Sequence, residues 1–92
     1  MKFIFFIITE YPGFRGSVLE EELRKCGVGY WVTGVGIDVV VVKVADERQE
    51  ECVMRVLLAA DIDYVIEMEG VPRRLRVRSA ITGRVKAEVE FV

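Results

Sequence analysis

Histidine and asparagine are both absent from this 92-residue sequence, and glutamine occurs once, at Gln49. Without imidazole there is no Ser-His-Asp or Cys-His catalysis, no histidine acid–base chemistry and no histidine-containing zinc set. Cysteine is nearly absent as well. Cys26 and Cys52 lack C-x-x-C spacing, so they read as small buried hydrophobes on two helices, or as a disulfide pair; no metal is expected. Long apolar runs are missing: Phe3–Ile8 is far short of the roughly 20 residues that span a bilayer. Lys2 ahead of that run resembles the start of a signal peptide, but Thr9-Glu10-Tyr11-Pro12 is no small-residue cleavage site. The chain is therefore expected to be cytoplasmic, with no membrane partner. No Walker or dinucleotide glycine pattern occurs, since Gly34-x-Gly36 lacks the third glycine and the helix after it, and no cofactor is expected. Few amides with many charges is a composition that hyperthermophile proteins show, which points to a thermophilic source.

What is there is a 52% hydrophobic, 30% charged chain, a globular balance with enough length for one core. Its net charge of −2 is unevenly divided. Residues 1–70 hold 7 basic and 13 acidic groups, net −6, whereas residues 71–92 hold 6 basic and 2 acidic, net +4.

The stretch from Lys2 to Gly27 sets the pattern. Lys2–Thr9 is apolar on both faces and so reads as a central strand. The loop Glu10–Gly16 follows, and then a helix with Ser17 as N-cap and Glu20 completing a capping box. Leu19, Leu23 and Cys26 form the helix's apolar face, and Gly27 stops it. Val28–Thr33 is a short strand, and Ile37–Val44, with four consecutive valines, is a second central one. Asp46 caps a second helix, with Gln49 three residues on and an apolar face of Val53, Val56, Leu57 and Ala60. In Ile62–Glu69, Ile62, Tyr64, Ile66 and Met68 alternate with Asp63, Glu67 and Glu69, the pattern of a half-exposed strand at a sheet edge, with its carboxylates in solvent.

Residues 1–69 thus read β-α-β-β-α-β with the first and third strands central. That is the α+β ferredoxin-like two-layer sandwich, with an antiparallel sheet and two helices on one face. After a break at Gly70-Val71-Pro72, residues 70–92 read as a β-hairpin that packs on or extends the same domain. A three-residue loop keeps both of its apolar sets on one face. A loop at 81–83 sets Arg76 opposite Glu88 and Arg74 opposite Glu90; a loop at 82–84 sets Arg78 opposite Glu88 and Arg76 opposite Glu90. Helices on one side leave the other sheet face bare and apolar. The hairpin, a second subunit in a homo-oligomer, or both are expected to cover it.

Two constellations are candidate sites. Gly13, Arg15, Gly16 and Ser17 bring an arginine and the free N–H groups of a helix start together, a place for a small anion or an amino acid. The bland alternative is a tight connection in which Pro12 and Gly13 turn the chain and Phe14 plugs the core. Arg73, Arg74, Arg76, Arg78, Arg84 and Lys86 are the alternative site, gripping nucleic-acid phosphates, with Tyr30 and Trp31 as stacking candidates if exposed nearby.

The segment Ile7–Val28, with Pro12-Gly13 after the first strand and then Leu19, Leu23 and Gly27-Val28, resembles the opening of ACT domains. That resemblance implies a ferredoxin-like regulatory module that pairs with a copy of itself and binds amino acids near the first loop. The helix here starts at Ser17, a turn later than in that family, and the hairpin lies outside its pattern. Gly13-Phe14-Arg15 and Gly29-Tyr30-Trp31-Val32 also resemble acylphosphatases, which would make Arg15 a phosphate ligand. Thr33 or Gly34 stands where their catalytic asparagine is required, so no such activity is expected. The leading expectation is a non-enzymatic homo-oligomeric module that binds a small ligand near Arg15. A ligand-free assembly protein and a nucleic-acid binder are the alternatives.

Overall fold

β-Branched and aromatic residues dominate the strands, and two well-capped segments make the helices. The computed structural model describes residues 2–70 and 73–91. The strands are β1 (Lys2–Ile8), β2 (Gly29–Thr33), β3 (Asp38–Val44), β4 (Tyr64–Glu69), β5 (Arg73–Ser79) and β6 (Val85–Phe91). The helices are α1 (Val18–Lys25) and α2 (Glu47–Ala59). All six strands form one sheet in the order β2-β3-β1-β4-β5-β6, and every described pairing is antiparallel.

Both helices start where side chains can satisfy their free N–H groups. The Ser17 hydroxyl accepts from Glu20 N–H at 3.1 Å, and the Asp46 carboxylate accepts from Gln49 N–H at 2.9 Å. Gly27, at φ +74°, ends α1 in the left-handed conformation that glycine adopts without a Cβ penalty. Cys26, at the C-terminal end of α1, is disulfide-bonded to Cys52 of α2.

The core lies between the helices and one side of the sheet. Ile4 and Phe6 of β1, Val40, Val42 and Val44 of β3, and Val65 of β4 meet Leu23 of α1 and Val53 and Leu57 of α2. Phe14 enters from the loop and is fully buried, edge-on to Phe6 and Tyr30.

The edge position expected for β4 is corrected: it pairs with β1 on one side and β5 on the other. Its carboxylate side is not the solvated side either. Glu67 is 1% exposed, while Tyr64 and Ile66 are the exposed residues of the strand. Alternation shows that two faces differ in polarity without saying which one meets the helices. Here Val65 and Glu67 lie under α2, and downstream arginines neutralise the acid.

The hairpin extends the sheet and does not fold back over its bare face, so a cis cover for that face is also corrected. Its register is Arg74↔Glu90 and Arg76↔Glu88, with Gly83 at φ +74° in the loop, as the 81–83 alternative requires. A bulge after Val77 then pairs Arg78 with Val85. Val71 and Pro72, expected as the break ahead of the hairpin, lie outside the described residues.

Candidate functional site

The loop joining β1 to α1 is held by carboxylates from its own chain. Phe14 N–H donates to Asp38 Oδ2 at 2.8 Å, and Gly16 N–H donates to Glu20 Oε1, also at 2.8 Å. Ser17 Oγ donates to the Phe14 carbonyl and accepts from Glu20 N–H. Glu20 thus reaches one residue beyond the N-cap. Its other oxygen accepts from the Tyr30 hydroxyl at 3.0 Å, and that hydroxyl accepts from Arg24. The Gly16 N–H and the Tyr30 hydroxyl hold the Glu20 carboxyl below the usual carboxylate range, with Arg24 and Arg15 adding charge attraction.

Gly13, Arg15, Gly16 and Ser17 do come together around the helix start. Two of the N–H groups an incoming anion would need, those of Phe14 and Gly16, already face carboxylates. Arg15 is exposed. Gly13 sits at φ +93°, and a Cβ there would collide with the Asp38 carboxylate, so glycine is required by both backbone and space. Asp38 is the residue that sequence reading missed. It lies 24 positions from Phe14, and a lone aspartate at a strand start carries no local signal of such a bond.

The tail arginines divide into paired and open. Arg76 contacts Glu67 at 3.2 Å and Glu69 at 3.6 Å; Arg78 contacts Glu67 and, at 3.1 Å, Glu50 of α2. Lys2 joins the same group, 2.6 Å from Glu50 and 3.4 Å from Glu69. Burial alone would raise the Glu50 carboxyl, but Lys2 and Arg78 outweigh it and hold the group below its ordinary range. Arg74 reaches Glu88 at 3.1 Å and Glu90 at 3.8 Å. Arg76 lies opposite Glu88 in register yet turns to Glu67, because an unpaired carboxylate buried at that point would be costly. Arg84 and Lys86 are exposed on the hairpin. The side chain of Arg73 lies outside the described residues. The expected stacking pair is not beside these cations: Tyr30 and Trp31 belong to β2, at the opposite edge of the sheet from β6.

Among the described residues, no helix covers the other sheet face. Cross-strand pairing aligns Trp31, Val41, Phe5, Ile66, Val77 and Ala87 in one row across all six strands. The adjoining row is Gly29, Lys43, Phe3, Met68, Leu75 and Val89. In these two rows Lys43 is the one charged residue. Trp31 is 48% exposed, Ile66 36% and Val89 52%, with Trp31 edge-on to Phe3. On the helix side the rows change character beyond β4, as in Val42-Ile4-Glu67-Arg76-Glu88. The hairpin is therefore charged where it extends past the helices and apolar where it extends the bare face.

Among the described residues no group of three Cys, Asp or Glu side chains is placed to hold a metal ion, and no helix is long and apolar enough to cross a membrane. No family model matches this chain, nor does any curated protein or solved structure.

Proposed function

We propose that this chain is a ferredoxin-like β-α-β-β-α-β module enlarged by its C-terminal hairpin, and that it works as a non-enzymatic assembly unit. Two copies pair through their bare sheet faces. The observation that carries this reading is the uncharged row Trp31-Val41-Phe5-Ile66-Val77-Ala87, which crosses the full width of the sheet.

Size supports it. Six strands about 4.8 Å apart and roughly 20 Å long give a face on the order of 550 Å² in projection, and pleating raises its accessible area. Single apolar patches on monomers reach about 300 to 600 Å², and a standard interface buries about 800 Å² per partner. The hairpin supplies about a third of this width, so its apolar side is explained by the same pairing. An antiparallel sheet with a second apolar face needs a second layer, and a second copy provides one of matching shape and polarity.

Sedimentation equilibrium over a micromolar concentration series tests the reading. A dimer with a dissociation constant on the order of 1 µM or tighter is expected. Ile66→Asp, in the middle of the face, and Val89→Glu, towards the hairpin edge, should each shift the population to monomer while the circular dichroism spectrum is kept. A wild-type chain that stays monomeric at 100 times that concentration would overturn it.

A further inference from the structure

The ladder between β1 and β3 runs the whole length of β1, from Lys2↔Val44 to Ile8↔Asp38, but the ladder between β1 and β4 stops at Phe5↔Ile66. Phe6, Ile7 and Ile8 therefore have a paired strand on one side only, and β1 and β4 part at this end of the sheet. The gap is a cleft of about 900 Å³, within the range of small-molecule sites. Its wall is largely apolar, with Ile7, Ile8, Tyr64 and Ile66 among the residues that form it.

Three separate features give the cleft one electrostatic sign. Its charged lining residues are Glu10, Asp61 and Asp63, all acidic, all exposed, and none in an ion pair among the described residues. Arg15 is not among the residues that line it. The C-terminal end of α2 opens onto it through Ala60 and Asp61, and that last turn holds no basic residue, so the negative end of the helix dipole is uncompensated there. Tyr11 and Tyr64 add two exposed aromatic rings, whose faces attract cations.

We propose that this cleft binds a small organic amine. Its alkyl or aromatic body lies against Ile7, Ile8, Tyr64 and Ile66, and its ammonium or guanidinium group lies at the Asp61 and Asp63 end, with Glu10 adding to the negative field of the cleft. A carboxylate or phosphate in the same place would face three like charges and a helix C-terminus. Ile66 also belongs to the row proposed to pair, so the amine is titrated into a pairing-deficient variant as well as into the wild type; the acids lie at the strand ends and in the loops, outside that row.

The test compares two probes of similar body and opposite charge, 2-phenylethylamine and 3-phenylpropionate. Each is titrated by NMR into wild-type protein and into Val89→Glu, whose substitution lies in β6 away from the cleft. The amine is expected to give saturable shifts at Ile7, Ile8 and Tyr64 in both proteins, with affinity at least about tenfold above that of the acid. The double variant Asp61→Asn/Asp63→Asn should bring that ratio below about threefold, since asparagine suits the left-handed backbone of Asp61 and keeps the fold. Arg15→Ala should leave amine binding unchanged. Equal affinities, a tighter acid, or no saturable shift with the amine would overturn the proposal. Acid binding that disappears in Arg15→Ala would place the site on the loop as an anion site instead. Loss of self-association in Val89→Glu with amine binding intact would bear on the pairing alone.

Discussion

Phe14 belongs to a loop, yet it is one of the largest fully buried side chains in the molecule. Its amide is tied to Asp38 and its ring is wedged between Phe6 and Tyr30, so one residue fixes both the path of the loop and the start of α1. Phe14→Ala should cost about 3 to 5 kcal/mol in a urea titration, the range for emptying a buried aromatic site. Glu67 is the opposite kind of residue, a carboxylate at 1% exposure beside two arginines that are each about a fifth exposed. Glu67→Ala would remove the carboxylate those cations share, leaving Arg76 with Glu69 and Arg78 with Glu50. A loss of about 3 kcal/mol is expected in the same titration, at the lower end for breaking a buried pair because the arginines keep these second partners and still reach water. Glu20 and Glu50 both have folded-state pKa values held below their unfolded ones. Their contribution to stability is therefore complete above about pH 4.3 and is lost as pH falls through the lowered folded values. A melting-temperature series from pH 7 to pH 2 should fall on that acid limb, and Glu20→Gln should flatten part of the fall.

At the scale of elements, much of the fold could be read from the sequence because local signals agreed with one another. Ser17 and Asp46 as caps, Gly27 as the stop of α1 and the valine run of β3 all lie where expected, within one residue. What misled the reading of β4 was a relation between elements. Glu67 is compatible with the helix side only because Arg76 and Arg78 arrive from β5 and Lys2 from β1, and no single stretch of sequence contains that set. The loop was legible as residues that gather, whereas the carboxylates already facing its N–H groups were not, since Asp38 approaches from another strand. The helices themselves are joined by the Cys26–Cys52 disulfide across a separation of 26 residues. Closing a loop of that length in the unfolded chain is worth about 3.5 kcal/mol. The double variant Cys26→Ala/Cys52→Ala should therefore unfold at lower denaturant by about that amount, while a strong reductant should destabilise the wild type and leave the variant unchanged.

For the whole molecule, the two sides of the sheet have different fates. One side is closed by two helices and, beyond them, by a lattice of arginines and glutamates that tolerates water. The other presents apolar rows from β2 to β6, and the hairpin, one of the covers expected for them, lengthens them instead. That arrangement makes sense if the exposed rows are an internal layer of something larger. The most direct measurement is an isotope-filtered NOE experiment on a sample mixed from a ¹³C-labelled and an unlabelled population. Pairing through the bare face is expected to give intermolecular contacts among Phe5, Ile66, Val77 and Ala87, all of which vanish in Val89→Glu or Ile66→Asp. A spectrum without intermolecular contacts at a concentration far above micromolar, or with contacts confined to the helices, would contradict it.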